Sequence, residues 1–258
     1  MLRAKCLALC LEPEQSCIDM LNVKRFKNPV LQFSGGKDSL TCLYLLRDQL
    51  EHITVYWLDT GDGCPETLAI IDQVRQWIPK FVVVRSDVQA WRKTYGAPSD
   101  LVAASSHYIA EPYGIGTGRL TNRFDCCSQN IMRPLHERMV ADGVDCVIRG
   151  IKASDTGTVP FEGQDQFYYV ILPIRDWTDD NVFKYLEDVG APYNALYDFY
   201  KGISAPECIG CTAWWDDGKA AYFRALHPER LTEYHASLAQ IKAALQSHLA
   251  DLDFELRS

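Results

Sequence analysis

A short strand pattern that runs straight into Ser34-Gly35-Gly36-Lys37-Asp38-Ser39 and out into a helical pattern restricts this chain more than anything else in it. Pro29 to Phe33 reads as a buried strand, and Leu40, Leu43, Tyr44 and Leu46 then recur at helical spacing. Ile53 to Leu58 is a second strand, ending at Asp59. Pro65 stands where a helix can begin, and Leu68, Ile71, Val74 and Ile78 supply its apolar stripe. Phe81 to Val84 is a third, β-branched run. Strand, helix, strand, helix, strand at this spacing requires parallel crossovers with both faces of the sheet covered. The expected fold class is therefore α/β: a doubly wound, mainly parallel, Rossmann-like sheet.

Further along, Cys146 to Arg149 and Tyr168 to Ile174 are strand candidates. Thr178 can cap a helix whose Val182, Phe183, Leu186 and Val189 face inward, with Gly190 ending it. Between Asp87 and Arg123 the patterning weakens, and Gly114, Gly116 and Gly118 crowd together. That stretch is expected to be a long loop over the site. After Trp215 the chain turns helical, with Leu231, Tyr234, Leu238, Ile241, Leu245 and Leu252 on heptad-like positions. So short a stripe is expected to pack within the molecule. The division expected is one α/β domain over 1–215 and a C-terminal helical extension over 216–258.

The two-glycine turn carries chemistry. A strand that passes through two glycines into a helix aims backbone N–H groups and the helix dipole at one point, which suits an anion. Ser34 and Ser39 can donate hydroxyl hydrogen bonds, Lys37 brings positive charge, and Asp38 can orient a neighbour or hold a metal-bound water. The longer G-x-x-x-x-G-K-[ST] pattern is absent, which disfavours a P-loop NTPase. A ligand-free tight turn is the bland alternative.

Four cysteines form the second feature: the adjacent pair Cys126-Cys127 and the C-x-x-C of Cys208 and Cys211. Neighbouring cysteines bridge each other poorly by a disulfide. Four thiolates suit a soft centre, either a structural zinc or an iron–sulfur cluster. Unrelated core cysteines are the remaining alternative. Cys6, Cys10 and Cys17, like Cys42, Cys64 and Cys146, are expected to be packing residues, although Cys64 lies beside the Asp59 segment.

A net charge of -8 argues against a broad nucleic-acid surface, leaving only local basic groups at Lys24, Arg25 and Lys27 and at Arg119 and Arg123. No run approaches the about 18 apolar residues of a membrane span. Glu12 and Glu14 directly follow the short apolar start, so no signal peptide is expected, and the expected location is the cytoplasm, with reduced thiols.

These motifs carry a resemblance. SGGKDS looks like the PP-loop of ATP pyrophosphatases, which split ATP between the α- and β-phosphates. Leu58-Asp59-Thr60-Gly61 with Pro65-Glu66-Thr67 is similar to a segment of phosphoadenylyl-sulfate (PAPS) reductases. So are Pro173-Ile174-Arg175-Asp176-Trp177-Thr178 and the Pro192-Tyr193-Asn194 to Leu196-Tyr197 stretch. The chain thus resembles the PAPS and adenylyl-sulfate reductase family, in its iron–sulfur branch, within the PP-loop superfamily. The resemblance implies that Cys126, Cys127, Cys208 and Cys211 hold a [4Fe–4S] cluster. It also implies that Asp59, Thr60 and Gly61 join residues 34 to 39 around the nucleotide. Lys37, Lys152 and Arg149 are the expected charge-stabilising catalytic residues.

Three departures stand out. The family's C-terminal catalytic cysteine has no counterpart after Cys211. Ile131 occupies the place of a lysine that usually follows the cysteine pair, with Arg133 as a substitute. The family's G-x-R reads Gly150-Ile151-Lys152, and lysine cannot make arginine's planar bidentate contact. The intact glycine loop favours ATP as substrate, with Mg2+ and pyrophosphate release. The alternatives are a true reductase that releases sulfite and a non-catalytic nucleotide and cluster sensor or subunit. The expected partners are the adenine nucleotide and a thiol or sulfur-donor protein, and a homo-oligomer is also allowed.

Overall fold

The computed structural model describes residues 22–114, 118–156, 158–199 and 205–258. Cys6, Cys10, Cys17 and Gly116 lie outside them. The chain divides into two compact units. One gathers the described residues up to Leu58 with Pro65–Val84 and Leu135–Ala195; the other gathers Asp59–Cys64, Arg85–Pro134 and Leu196–Ser258.

In the first unit, strand β1 (Pro29–Gln32) is followed by helix α1 (Lys37–Leu45), β2 (Thr54–Asp59), α2 (Pro65–Val74) and β3 (Phe81–Arg85). The succession read from the sequence is present, with the ends of these three strands displaced by at most one residue. The remaining strands of this sheet lie beyond Leu135. They are β6 (Cys146–Ile148), β7 (Gly163–Gln164) and β8 (Tyr169–Ile171), with α5 (Arg133–Ala141) before them and α6 (Asp179–Asp188) after. The six strands run in the order β3-β2-β1-β6-β8-β7. β1 pairs in parallel with β2 and with β6, β6 pairs in parallel with β8, and β7 closes the edge antiparallel to β8. The result is a mainly parallel sheet with helices on both sides. Pro29 opens β1, where a missing N–H costs least.

Leu31, Val55, Ile148 and Ile171 from the strands meet Leu40 and Leu43 of α1, Ile71 and Val74 of α2, and Val182 and Leu186 of α6 in one core. Thr178 caps α6: its hydroxyl accepts from Asn181 N at 3.2 Å while Asn181 reaches back to the Thr178 N–H. Of the inward set expected on α6, Val182 and Leu186 are buried but Val189 is 37% exposed, because the helix stops at Asp188. Strand order reverses across β1, whose two neighbours are β2 and β6. A crevice outside the carboxyl ends of strands at such a switch point is where open α/β sheets bind ligands.

The second unit corrects one expectation. The stretch from Asp87 to Arg123 is not a long loop: it holds α3 (Val88–Tyr95), β4 (Ala97–Ser99) and β5 (Leu120–Asn122), with two 3-10 turns between the strands. Asp87 caps α3 through its side chain on Ala90 N at 2.8 Å, and β4 pairs in parallel with β5. Three-residue strands and an eight-residue helix are too short to print a periodicity. Helix α4 (Arg123–Cys127) follows β5 and passes through a π-helical stretch, Ser128–Met132, into α5. The unit ends with α7 (Lys219–Leu226) and α8 (Pro228–Glu255), which pack through Tyr222, Phe223 and Tyr234. Tyr234 and Ile241 of the heptad-like stripe are buried, whereas Leu252 is 54% exposed. No helix among the described residues is long and apolar enough to cross a membrane.

Candidate functional site

At the carboxyl end of β1, the chain leaves the sheet through Ser34 and Gly35 and enters α1 at Gly36, its N-cap. Gly35 adopts φ +80°, and a Cβ there would lie 2.8 Å from Thr67 Cγ2 and 2.9 Å from Ile71 Cγ1. Only glycine satisfies both the backbone and the contact with α2. The serines hold the turn itself. Ser34 N donates to Ser39 Oγ at 3.2 Å, the two hydroxyls are 3.2 Å apart, and Ser39 Oγ donates to Gly36 O at 3.0 Å.

Two buried lysines meet beside this turn. Lys37 Nζ lies 2.9 Å from Asp38 Oδ2 and 3.1 Å from Asp179 Oδ1. Lys152 Nζ, fully buried, lies 2.6 Å from Asp38 Oδ1, 3.0 Å from Asp155 and 3.2 Å from Asp179 Oδ1. Asp38 therefore orients both ammonium groups. Burial alone would pull Lys152 down, but its hydrogen bonds to Asp38 and Asp155 prevail and raise it above lysine's ordinary value. Gly150 makes the meeting of β6 with α1 possible, since a Cβ there would sit 2.5 Å from the Asp38 carbonyl carbon. Arg149 follows β6: its Nη2 is 3.5 Å from the Tyr168 hydroxyl, and its buried Nε has no partner among the described residues. Asp155 and Asp179 were not picked out from the sequence. Asp179 had one signal, its position directly after the Thr178 cap.

In the second unit, Cys126, Cys208 and Cys211 share one buried cluster with Val88 and Ala213, and Trp91 and Trp214 pack against it. Cys127 is half-buried beside Cys126. Asn130, in the π-helical stretch, donates to Cys126 O at 2.9 Å. The Asp59 segment holds the C-x-x-C. Asp62 O accepts from Ile209 N at 2.7 Å, and Asp62 Oδ2 accepts from Gly210 N at 3.1 Å and Arg92 Nη1 at 2.6 Å. The Thr60 hydroxyl lies 3.5 Å from Cys208 Sγ, and Asp59 Oδ1 accepts from Gly61 N at 2.9 Å. Lys219, at the start of α7, donates from Nζ to Cys211 O at 2.6 Å.

Burial pushes the Cys208 thiol up to about 12 and, with the neighbouring sulfurs, Cys127 up to about 11. Left alone these side chains stay protonated, and a metal centre would reverse that. Among the described residues, no three of His, Cys, Asp and Glu converge on a point for a single ion. The Nε of Arg92 and the Nε1 of Trp91, both buried, have no hydrogen-bond partner among the described residues. Cys64 is buried among Leu196, Ile209, Tyr222 and Phe223, with its sulfur 3.5 Å from Pro206 O. Arg133 donates to Gln129 Oε1 at 3.2 Å. Arg119 pairs with Glu111, and Arg123 with Asp100 at 3.1 Å while stacking over Trp214.

The family model for the "phosphoadenosine phosphosulfate reductase domain" matches residues 28–214. An adenosine 5'-phosphosulfate reductase of Salinibacter ruber is 29% identical over 195 residues, covering 72% of this chain and 69% of that protein. A phosphoadenosine 5'-phosphosulfate reductase of Cronobacter sakazakii is 25% identical over 194 residues, covering 74% of this chain and 73% of its own length. Among solved structures, a PAPS reductase from Candida auris in its phosphate complex superposes with a TM-score of 0.52 at 18% identity. That match covers 72% of this chain and 85% of the other, and it establishes a common fold.

Proposed function

We propose a function from one premise: this chain belongs to the phosphoadenosine phosphosulfate reductase domain family. It binds ATP at residues 34 to 39 and cleaves it between the α- and β-phosphates, in sulfur metabolism or sulfur transfer. An acceptor oxygen attacks the α-phosphorus, the bond to the bridging oxygen breaks, and pyrophosphate leaves. A sulfur nucleophile then displaces AMP from the acceptor. One observation carries this reading: the two-glycine turn delivers the α1 N-terminus to the place where Lys37 and Lys152 are already buried and aligned. A polyanion at that turn meets the N-terminus of α1, with two ammonium groups held behind it by carboxylates, the kind of fixed charge from which electrostatic catalysis draws. Three carboxylates, Asp38, Asp155 and Asp179, hold the two lysines in place, and a Mg2+ that travels with a triphosphate would be held chiefly by phosphate oxygens and water. Asp59 and Gly61 are assigned to the nucleotide by resemblance, while the Thr60 hydroxyl stands against Cys208.

Cys126, Cys127, Cys208 and Cys211 are the residues that would hold a [4Fe–4S] cluster. Support comes from three of the four cysteines sharing one buried cluster, with Cys127 adjacent to Cys126 in the chain, and from the orphaned Arg92 and Trp91 N–H groups, of the kind that hydrogen-bond cluster sulfurs. When bound, such a cluster supplies a fixed charge and a rigid tie between α4 and the C-x-x-C. Four cysteine ligands leave no open iron position.

A second reading, reduction of a phosphosulfate with release of sulfite, is favoured by the names of the relatives. Cys64 is a poor internal nucleophile because it is 1% exposed, so that reading takes its thiol from a donor protein. The test is a nucleotide panel on anaerobically purified full-length protein, with iron and sulfide analysis. Pyrophosphate from ATP supports the first reading. Sulfite from adenylyl sulfate or PAPS, without pyrophosphate from ATP, replaces it with the second, and turnover of neither removes both. Lys37→Ala should weaken binding of a triphosphate analogue more than binding of adenosine; equal losses would place Lys37 away from the phosphates.

A further inference from the structure

Lys219 is the side chain in the second unit whose position the fold alone does not explain. It is 2% exposed, yet no carboxylate lies within ion-pair distance of its ammonium among the described residues. Its acceptor is the carbonyl oxygen of Cys211 at 2.6 Å, and its Nζ stands 6.0 Å from the centre of the Tyr234 ring. A buried ammonium with one neutral acceptor costs several kcal/mol unless an anion balances it. The groups in electrostatic range that can carry negative charge are the sulfurs of Cys211, Cys64 and Cys208 and, beyond ion-pair distance, the Asp217 carboxylate.

Arg92 is the second buried cation near these cysteines, and it differs in one respect. Its Nη1 is pinned by Asp62 Oδ2 at 2.6 Å, so the pair is neutral overall. A methyl group on Gly210 would come within 2.9 Å of both Arg92 Nη1 and Asp62 Oδ2, which shows how closely the C-x-x-C turn is packed on this pair. Lys219 is thus a buried cation of the sulfur nest with no carboxylate at ion-pair distance among the described residues. Four thiolates outweigh the positive charge of an iron–sulfide core, so a loaded nest is an anion.

We propose that Lys219 is the charge-compensating positioning residue of the four-cysteine centre. It holds the Cys211 backbone by its hydrogen bond and sets the affinity and reduction potential of a cluster bound there by its charge. The inference rests on the cluster reading given above. Arg92, already neutralised by Asp62, contributes N–H donors rather than net charge.

The experiment uses full-length protein reconstituted anaerobically with ferrous iron and sulfide. Lys219→Met keeps the apolar stem and removes the charge. Loss of iron to a chelator should become roughly 10-fold faster or more, in line with outer-shell effects on metal affinity. The midpoint potential should move to a more negative value, because the reduced cluster loses a buried cation held beside Cys211. In the iron-free chain the sign reverses: Lys219→Met should raise the thermal midpoint, since a buried ammonium without an ion-pair partner has gone. A variant that lowers the midpoint of loaded and iron-free protein alike has lost only packing, and the proposal falls. Asp62→Asn provides an independent arm. It keeps an oxygen acceptor for Gly210, unmasks the Arg92 charge and should move the potential to a more positive value. An unchanged or more negative potential would overturn the charge argument even if Lys219→Met failed to fold. Wild-type protein that takes up neither iron nor sulfide removes both the cluster reading and this inference. Wild-type protein that loads normally, with Lys219→Met matching it in release rate and potential, removes this inference alone.

Discussion

Gly150 shows how one missing side chain holds the candidate site together. Its backbone touches the first turn of α1 so closely that a methyl group would overlap Asp38 and Ser39. Gly150→Ala should cost about 1–3 kcal/mol by overpacking and displace Lys152 from Asp38. Urea denaturation and a triphosphate-analogue titration would check the two effects. A second prediction concerns pH. Burial raises the Cys146 thiol from 9.0 to about 12, so the folded chain holds that proton more tightly than the unfolded one. The associated stability is complete below the unfolded value near 9 and is lost as pH climbs toward about 12. Iron-free protein should therefore show a falling urea midpoint above about pH 9, and Cys146→Ala should flatten that fall. Lys37, Lys152 and Asp38 were legible in the sequence because each sits in a compact motif. Asp155 and Asp179 were not, since the contacts that give them a role are made by the fold.

At the scale of elements, a strong pattern did not guarantee burial. The six apolar positions on α8 look equivalent in sequence, but Ile241 is 2% exposed and Leu252 54% exposed. Ile241→Ala should cost about 2–5 kcal/mol, and Leu252→Ala should stay within about 0.5 kcal/mol, when thermal or urea unfolding is followed. Equal effects would mean that the far end of the helix is covered in solution. The opposite failure occurred before β5. Helix α3 escaped notice because two turns of helix carry too few apolar positions to show a stripe. Its cap, Asp87, was the readable signal.

The whole molecule carries separate cores, one built on the six-stranded sheet and others in the unit that contains the cysteines. Calorimetry should depart from a single two-state transition, and stripping iron from a loaded sample should lower one component while leaving the other in place. A single transition that shifts as a unit would show that the two cores unfold together.

The sequence by itself determined the α/β class, the two-glycine turn, the four candidate sulfur ligands and family membership. These rest on local spacing, which survives in one dimension: a strand-to-helix turn needs its glycines next to each other, and a C-x-x-C needs its cysteines one turn apart. Only the tertiary structure decided how charge is balanced. Asp38, Asp155 and Asp179 around two lysines, Asp62 on Arg92, and Lys219 on Cys211 are largely pairings between distant segments. Coulombic and hydrogen-bond energies depend on distances in space, and no pattern along the chain encodes which opposite charge folding will bring within reach.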